Sequence, residues 1–281
     1  MSHWTTLVSA GTLRDALGRK DLVVVDARAV LADRSRSEAQ YRASHLPGAR
    51  YADLERDLSE PGRPGGRHPW PDDAKFAALL SRWGVHPGDQ VVVYDAADGA
   101  LAAARLWFML KAWGHERVAV LDGGWNRWLE LGHPVDDAPV EPVPTRYEGR
   151  FDHARLLDSE AVRRHVEAGG LLVDARAPER FRGEVEPLDR VAGHVPGAIN
   201  RPFALNLHEG RFKSADVLAG EFGRLLGPVP PEGVVVMCGS GVTACHHLLA
   251  MEHAGLHGAR LSTGSWSGWI EDPARPVATG D

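Results

Sequence analysis

The chain has 281 residues, 43% hydrophobic and 25% charged, with a formal net charge of −6. That composition is globular and long enough for two domains, and its acidic balance argues against nucleic acid or an anionic membrane as a general partner. Two cysteines cannot build a disulfide framework in this length and favour a reducing, cytoplasmic setting, while no apolar run resembles a signal peptide or a membrane span.

In chain order, short apolar runs at Leu22–Asp26, Gln90–Tyr94 and Val118–Leu121 read as strands buried on both faces. Residues 73–83, 99–113 and 124–131 carry helical periodicity and stop at Gly84, Gly114 and Gly132. Residues 135–150 hold Pro139, Pro142 and Pro144 among acidic residues, a composition suited to an extended linker. Beyond it, strands are expected at Leu171–Asp174, Val234–Met237 and 259–261, and helices at 214–226, 243–252 and 266–270. The stretch 245–253 reads as amphipathic. Trp125 with Trp128, and Trp266 with Trp269, have the i,i+3 spacing of core-facing pairs. The alternation defines an α/β fold of two similar domains, 1–134 and 151–281, each a central, mostly parallel sheet flanked by helices.

The two halves repeat each other. VVVDAR at 23–28 returns as LLVDAR at 171–176, and SHLPGA at 44–49 as GHVPGA at 193–198. VVVYD at 91–95 returns as VVVMC at 234–238, and GWNRW at 124–128 as SWSGW at 265–269. The offset is always about 145 residues, which marks a duplication. Asp95 stands in the first copy where Cys238 stands in the second.

Cys238 ends a strand, is followed by Gly239 and Gly241, and leads into a helix. Backbone N–H groups in such a turn, with the positive end of the helix behind them, favour a thiolate without any cationic side chain. Four chemistries compete for it. Disulfide exchange wants a second cysteine two or three residues away; Cys245 lies about 10 Å further along if the segment is helical. Phosphate-ester hydrolysis wants an Arg at the sixth position after the cysteine, which here is Ala244. Acyl transfer wants a histidine base on the sulfur, and His246 and His247 read as polar surface residues of the helix. Transfer of a sulfur atom needs only a stabilised thiolate, N–H donors for the persulfide and a pocket for an anionic donor, and fits best.

These motifs resemble the tandem rhodanese-domain sulfurtransferases over nearly the whole chain. The resemblance implies one active cysteine, in the second domain, with the first catalytically silent because it carries Asp95. The loop Cys238, Gly239, Ser240, Gly241, Val242, Thr243 is similar to that of the 3-mercaptopyruvate group rather than the thiosulfate group, whose members carry two basic residues after the cysteine. The resemblance assigns Arg180 to the donor carboxylate. Where that group places a second Arg after a Glu-Pro pair, this chain has Leu188 and Asp189 after Glu186 and Pro187, then Arg190. Either Arg190 takes that place or the pocket is less cationic. Ser240 either hydrogen-bonds the substrate or relays a proton, or it only shapes the turn. His45 matches a histidine that some family members use with the loop serine, but His194 occupies the same motif in the other copy, so a structural role in both is the alternative.

The expectation is therefore a cofactor-free, metal-free sulfurtransferase. Cys238, Ser240 and His45 are its catalytic candidates. Arg180 and the backbone of Gly239, Gly241, Val242, Thr243 and Ala244 hold the donor and persulfide. The favoured donor is 3-mercaptopyruvate and the acceptor a thiol, a thioredoxin-like protein or cyanide. Thiosulfate:cyanide transfer is the alternative enzyme, and a non-turnover persulfide carrier or binding protein the alternative class.

Overall fold

Valine-rich segments too short for helices set the frame of both halves. In the computed structural model, which describes residues 3–30 and 33–281, the chain divides into two units. One comprises Met1–Glu60, Pro71–Asp152 and Glu209–Phe212; the other comprises Pro61–Trp70, His153–His208 and Lys213–Asp281. The glycine- and proline-rich segment Pro61–Trp70 thus belongs with the second unit, although it precedes the linker in sequence.

The first unit runs β1 (Leu7–Val8), α1 (Ala10–Ala16), β2 (Leu22–Asp26), α2 (Arg34–Ala43), β3 (Arg50–Tyr51), α3 (Asp73–Arg82), β4 (Gln90–Tyr94), α4 (Ala102–Ala112), β5 (Val118–Leu121) and α5 (Gly124–Glu130). Its strands form a five-stranded parallel sheet in the order β1-β5-β4-β2-β3. The second runs β6 (Leu156–Leu157), α6 (Ser159–Glu167), β7 (Leu171–Asp174), α7 (Pro178–Phe181), β8 (Ala198–Asn200), α8 (Ala215–Leu226), β9 (Val234–Met237), α9 (Ala244–His253), β10 (Arg260–Ser262) and α10 (Ser265–Trp269). Its sheet, β6-β10-β9-β7-β8, is parallel and has the same topology. The α/β class and its duplication are thus observed strand for strand.

Helix starts follow local chemistry. Ser9, Asp33, Asp72 and Asp158 each accept the N–H of the residue three further on, capping α1, α2, α3 and α6. The two-residue edge strands and the polar helix α2 have too weak an apolar pattern to be expected from sequence. The amphipathic reading of 245–253 is corrected: α9 is buried from Ala244 to Met251 because it packs against β9, β10 and α8. Each unit has its own core, with Leu13, Val24, Val92, Tyr94 and Trp128 in the first and Val162, Leu172, Val235, Trp266 and Trp269 in the second. No helix among the described residues is long and apolar enough to cross a membrane. Asp95 and Cys238 follow the carboxyl ends of β4 and β9, where open parallel sheets place their ligand crevices.

Candidate active site

The repeated motifs build the same frame twice. Asp26 and Asp174, fully buried at the ends of β2 and β7, each take the guanidinium of the Arg two residues on, at 2.7 and 2.8 Å. Each Arg also stacks over a tryptophan, Arg28 over Trp125 and Arg176 over Trp266, and donates to a backbone carbonyl, of Ser44 or Gly193. A buried ion pair with its fork fully used and an aromatic face on it fixes the loop beyond the strand.

The histidine after that carbonyl is part of the frame. Nδ1 of His45 lies 2.9 Å from the Tyr41 carbonyl, the ring stacks on Tyr41, and the backbone bridges to Asp136. His194 repeats this with the Phe181 carbonyl at 2.8 Å, the Phe181 ring and Ala278. Equivalent partners in both copies, Tyr41 with Asp136 and Phe181 with Ala278, give His45 the frame role that was its alternative reading. Its Nδ1 faces the backbone, and the loop serine has another partner.

That partner is His68, whose Nδ1 lies 2.8 Å from Ser240 Oγ, both residues 6% exposed. Sequence reading missed His68, although a ten-residue loop of Gly and Pro around an Arg-His pair was the available signal. The loop is pinned by its backbone: Gly65 and Gly66 N–H donate to the Glu271 carboxylate, and Arg67 N–H donates to Ser267 Oγ at 3.0 Å.

Cys238 is 3% exposed, and neither it nor Cys245 is in a disulfide. Its N–H donates to Ser265 Oγ, which in turn donates to the Ser262 carbonyl. Ser265 adopts φ 48°, a strained left-handed conformation for a non-glycine residue. The Cys238 and Gly239 carbonyls accept from Trp266 and Ser267 N–H at 3.0 and 2.9 Å. The first unit does the same, with Trp125 and Asn126 donating to Asp95 and Ala96. Gly241 turns the loop at φ +74°, and a Cβ there would stand 2.3 Å from the Thr263 carbonyl. The loop then enters α9 at Ala244, next to buried Val242 and half-buried Thr243.

His246 and His247 are not surface residues. Both are fully buried, and both Nδ1 atoms meet Asn206 Nδ2. Burial pushes His247 down to about 3, so it is neutral.

Two guanidiniums flank the residue after Cys238. A Cβ on Gly239 would lie 2.9 Å from Arg67 Nη2 and 3.6 Å from both Nη atoms of Arg180. Arg180 pairs with Glu186 at 2.7 Å and Asp189 at 3.4 Å, and Arg67 pairs with Asp189 as well. Burial acts to raise Glu186. The Arg180 hydrogen bond and the N–H groups of Leu188 and Asp189 outweigh it and hold the carboxyl below its ordinary range. Arg190 instead donates to the Ile270 carbonyl. The second cation at the loop is therefore Arg67.

In the first unit, Asp95 fills its own loop. Its carboxylate accepts the N–H groups of Ala97, Gly99 and Leu101 at 3.3, 2.9 and 3.2 Å, and burial pushes it up to about 6 against those donors. The arrangement is a tandem α/β protein with one thiol site, held at a sheet's carboxyl end under two guanidiniums.

The rhodanese-like domain family matches residues 9–131 and 158–272. A probable 3-mercaptopyruvate sulfurtransferase of Pseudomonas aeruginosa is 46% identical over 98% of both chains. A putative thiosulfate sulfurtransferase, SseB of Mycobacterium tuberculosis, is 39% identical over 98% of this chain and 97% of that one. The crystal structure of SseA from Escherichia coli, titled as a 3-mercaptopyruvate sulfotransferase, superposes with TM-score 0.79 at 31% identity, covering 94% of this chain and all of that one. The chain belongs to the rhodanese-like domain family.

Proposed function

We propose that this enzyme moves sulfur from 3-mercaptopyruvate to a thiol, a thioredoxin-like protein or cyanide through a persulfide on Cys238. The chain is a sulfurtransferase, and its full-length relatives carry that name. The observation that carries the donor reading is the buried Ser240–His68 pair, because a carbon leaving group needs a proton and sulfite does not; Arg67 and Arg180 flank the residue after Cys238.

The chemistry balances without a further reactant. The Cys238 thiolate attacks the donor sulfur, the S–S bond forms as the C–S bond breaks, and the electron pair leaves on carbon as the enolate of pyruvate. That enolate must be protonated, and the donor thiol's proton reaches it through Ser240 and His68. The guanidiniums hold the carboxylate, and the N–H groups from Gly239 to Ala244 hold the persulfide. The acceptor's attack on the outer sulfur restores the thiolate. The first unit, with Asp95 in place of the thiol, takes no part in the chemistry; the segment Pro61–Trp70, which carries Arg67 and His68, belongs with the second unit. Two cysteines outside any disulfide suit a reducing, cytoplasmic setting.

The name of the mycobacterial relative favours thiosulfate as a second reading. Turnover of both donors with cyanide, read as thiocyanate, separates them: kcat/KM is expected to be higher with 3-mercaptopyruvate. A higher value with thiosulfate overturns the donor assignment, and no turnover with either leaves a persulfide carrier.

A further inference from the structure

Around the loop, three guanidiniums (Arg67, Arg176, Arg180) face three carboxylates (Asp174, Glu186, Asp189). The cluster is neutral, so a donor anion that binds beside Gly239 must compete for a guanidinium that is already paired. Asp174 and Glu186 are tied to the frame, Asp174 by the Arg176 fork and Glu186 by Arg176, Arg180 and two backbone N–H groups. Asp189 differs. It touches both Arg67 and Arg180, the two guanidiniums that flank Gly239, and its side chain is 4% exposed. A pocket of about 480 Å³ opens beside them, lined by Arg67, Leu188, Asp189, Arg190, Ser267 and Ile270.

We infer that Asp189 is an internal anion standing where the donor's negative group must bind, and that its charge selects singly over doubly charged donors. The inference rests on the anionic-donor reading above. A donor anion takes Arg67 and Arg180 from Asp189, and the displaced carboxylate stays close by. Repulsion between it and the donor is proportional to donor charge, so a dianion such as thiosulfate suffers about twice the penalty of a monoanion. Arg67 is then the specificity-determining partner, carried to the site by the pinned loop at 61–70.

The test is equilibrium binding by calorimetry on Cys238→Ser, with 3-mercaptopyruvate and thiosulfate as the probes, so that it does not depend on turnover. Asp189→Asn is nearly isosteric and is expected to tighten thiosulfate about tenfold and 3-mercaptopyruvate about threefold. Adding Arg67→Ala is expected to weaken both donors about tenfold from the Asp189→Asn values. Unchanged or weaker binding of both donors in Asp189→Asn overturns the inference, as does an equal gain for the two. Should Asp189→Asn fail to fold, Arg67→Ala alone on the half-exposed loop is expected to weaken both donors about tenfold, and unchanged affinity overturns the proposal. Absent turnover in the native enzyme would instead count against the functional reading, whatever these affinities are.

Discussion

Replacing Ser240 with Ala, or His68 with Gln, removes one half of a 2.8 Å contact between two residues each 6% exposed. With 3-mercaptopyruvate the leaving group is a carbon anion that must be protonated, so either change is expected to lower kcat about 10²-fold, or about 3 kcal/mol of barrier, the low end for general acid–base catalysis. With thiosulfate the leaving group is sulfite, which needs no proton, and the same variants should lose less than about fivefold. The pair acts as one relay, so the double variant should sit near 10²-fold, not the roughly 10⁴-fold of independent effects. Steady-state kinetics with both donors decides this, with melting curves run alongside because each variant leaves a buried polar atom unpaired at about 1–3 kcal/mol. Equal losses with both donors, or losses that multiply, would refute proton relay and leave the pair a purely positional role.

The other expectations concern stability and the loop. Gly241→Ala forces a Cβ to 2.3 Å from the Thr263 carbonyl at φ +74°, and should cost at least about 2 kcal/mol and most of the activity, read by urea unfolding and turnover. The Asp95 carboxyl is raised from 3.8 to about 6 by burial, so its contribution to stability is full below pH 4 and is lost as pH rises through 6. Asp95→Asn does not titrate, and should gain about 3 kcal/mol on the parent between pH 4 and pH 7; a flat difference contradicts the assignment. Glu186 is held below its ordinary range, so its contribution is present above the unfolded value and disappears as pH falls through the folded one. Glu186→Gln should remove that acid sensitivity and, by leaving buried Arg176 and half-buried Arg180 short of a partner, cost about 3 kcal/mol near neutral pH.

The valine-rich strands were legible because parallel strands buried on both faces need continuous apolar runs, and Leu22–Asp26, Gln90–Tyr94 and Val234–Met237 have them. The duplication was legible because each motif pins the loop after a strand in the same way twice, as the Asp-Arg-Trp contacts show. Edge strands such as Arg50–Tyr51 were not, since two residues carry no period. At the site, Cys238 could be read from local sequence, and Arg180 from the family resemblance. His68 and Arg67 could not, because their place beside Ser240 and Gly239 is made by tertiary contacts of a loop about 170 residues earlier in the chain. For His45 the shared motif itself pointed to the frame as the alternative, and the frame sets that histidine against a backbone carbonyl in each copy.

The central claim is that Cys238 carries the sulfur. The most direct measurement is a single turnover with stoichiometric 3-mercaptopyruvate and no acceptor, followed by pyruvate assay and peptide mass spectrometry. The account predicts one pyruvate per protein chain and a mass gain of one sulfur atom at Cys238, with neither in Cys238→Ser. Pyruvate release with no sulfur on Cys238, or sulfur found on Cys245 instead, would contradict it.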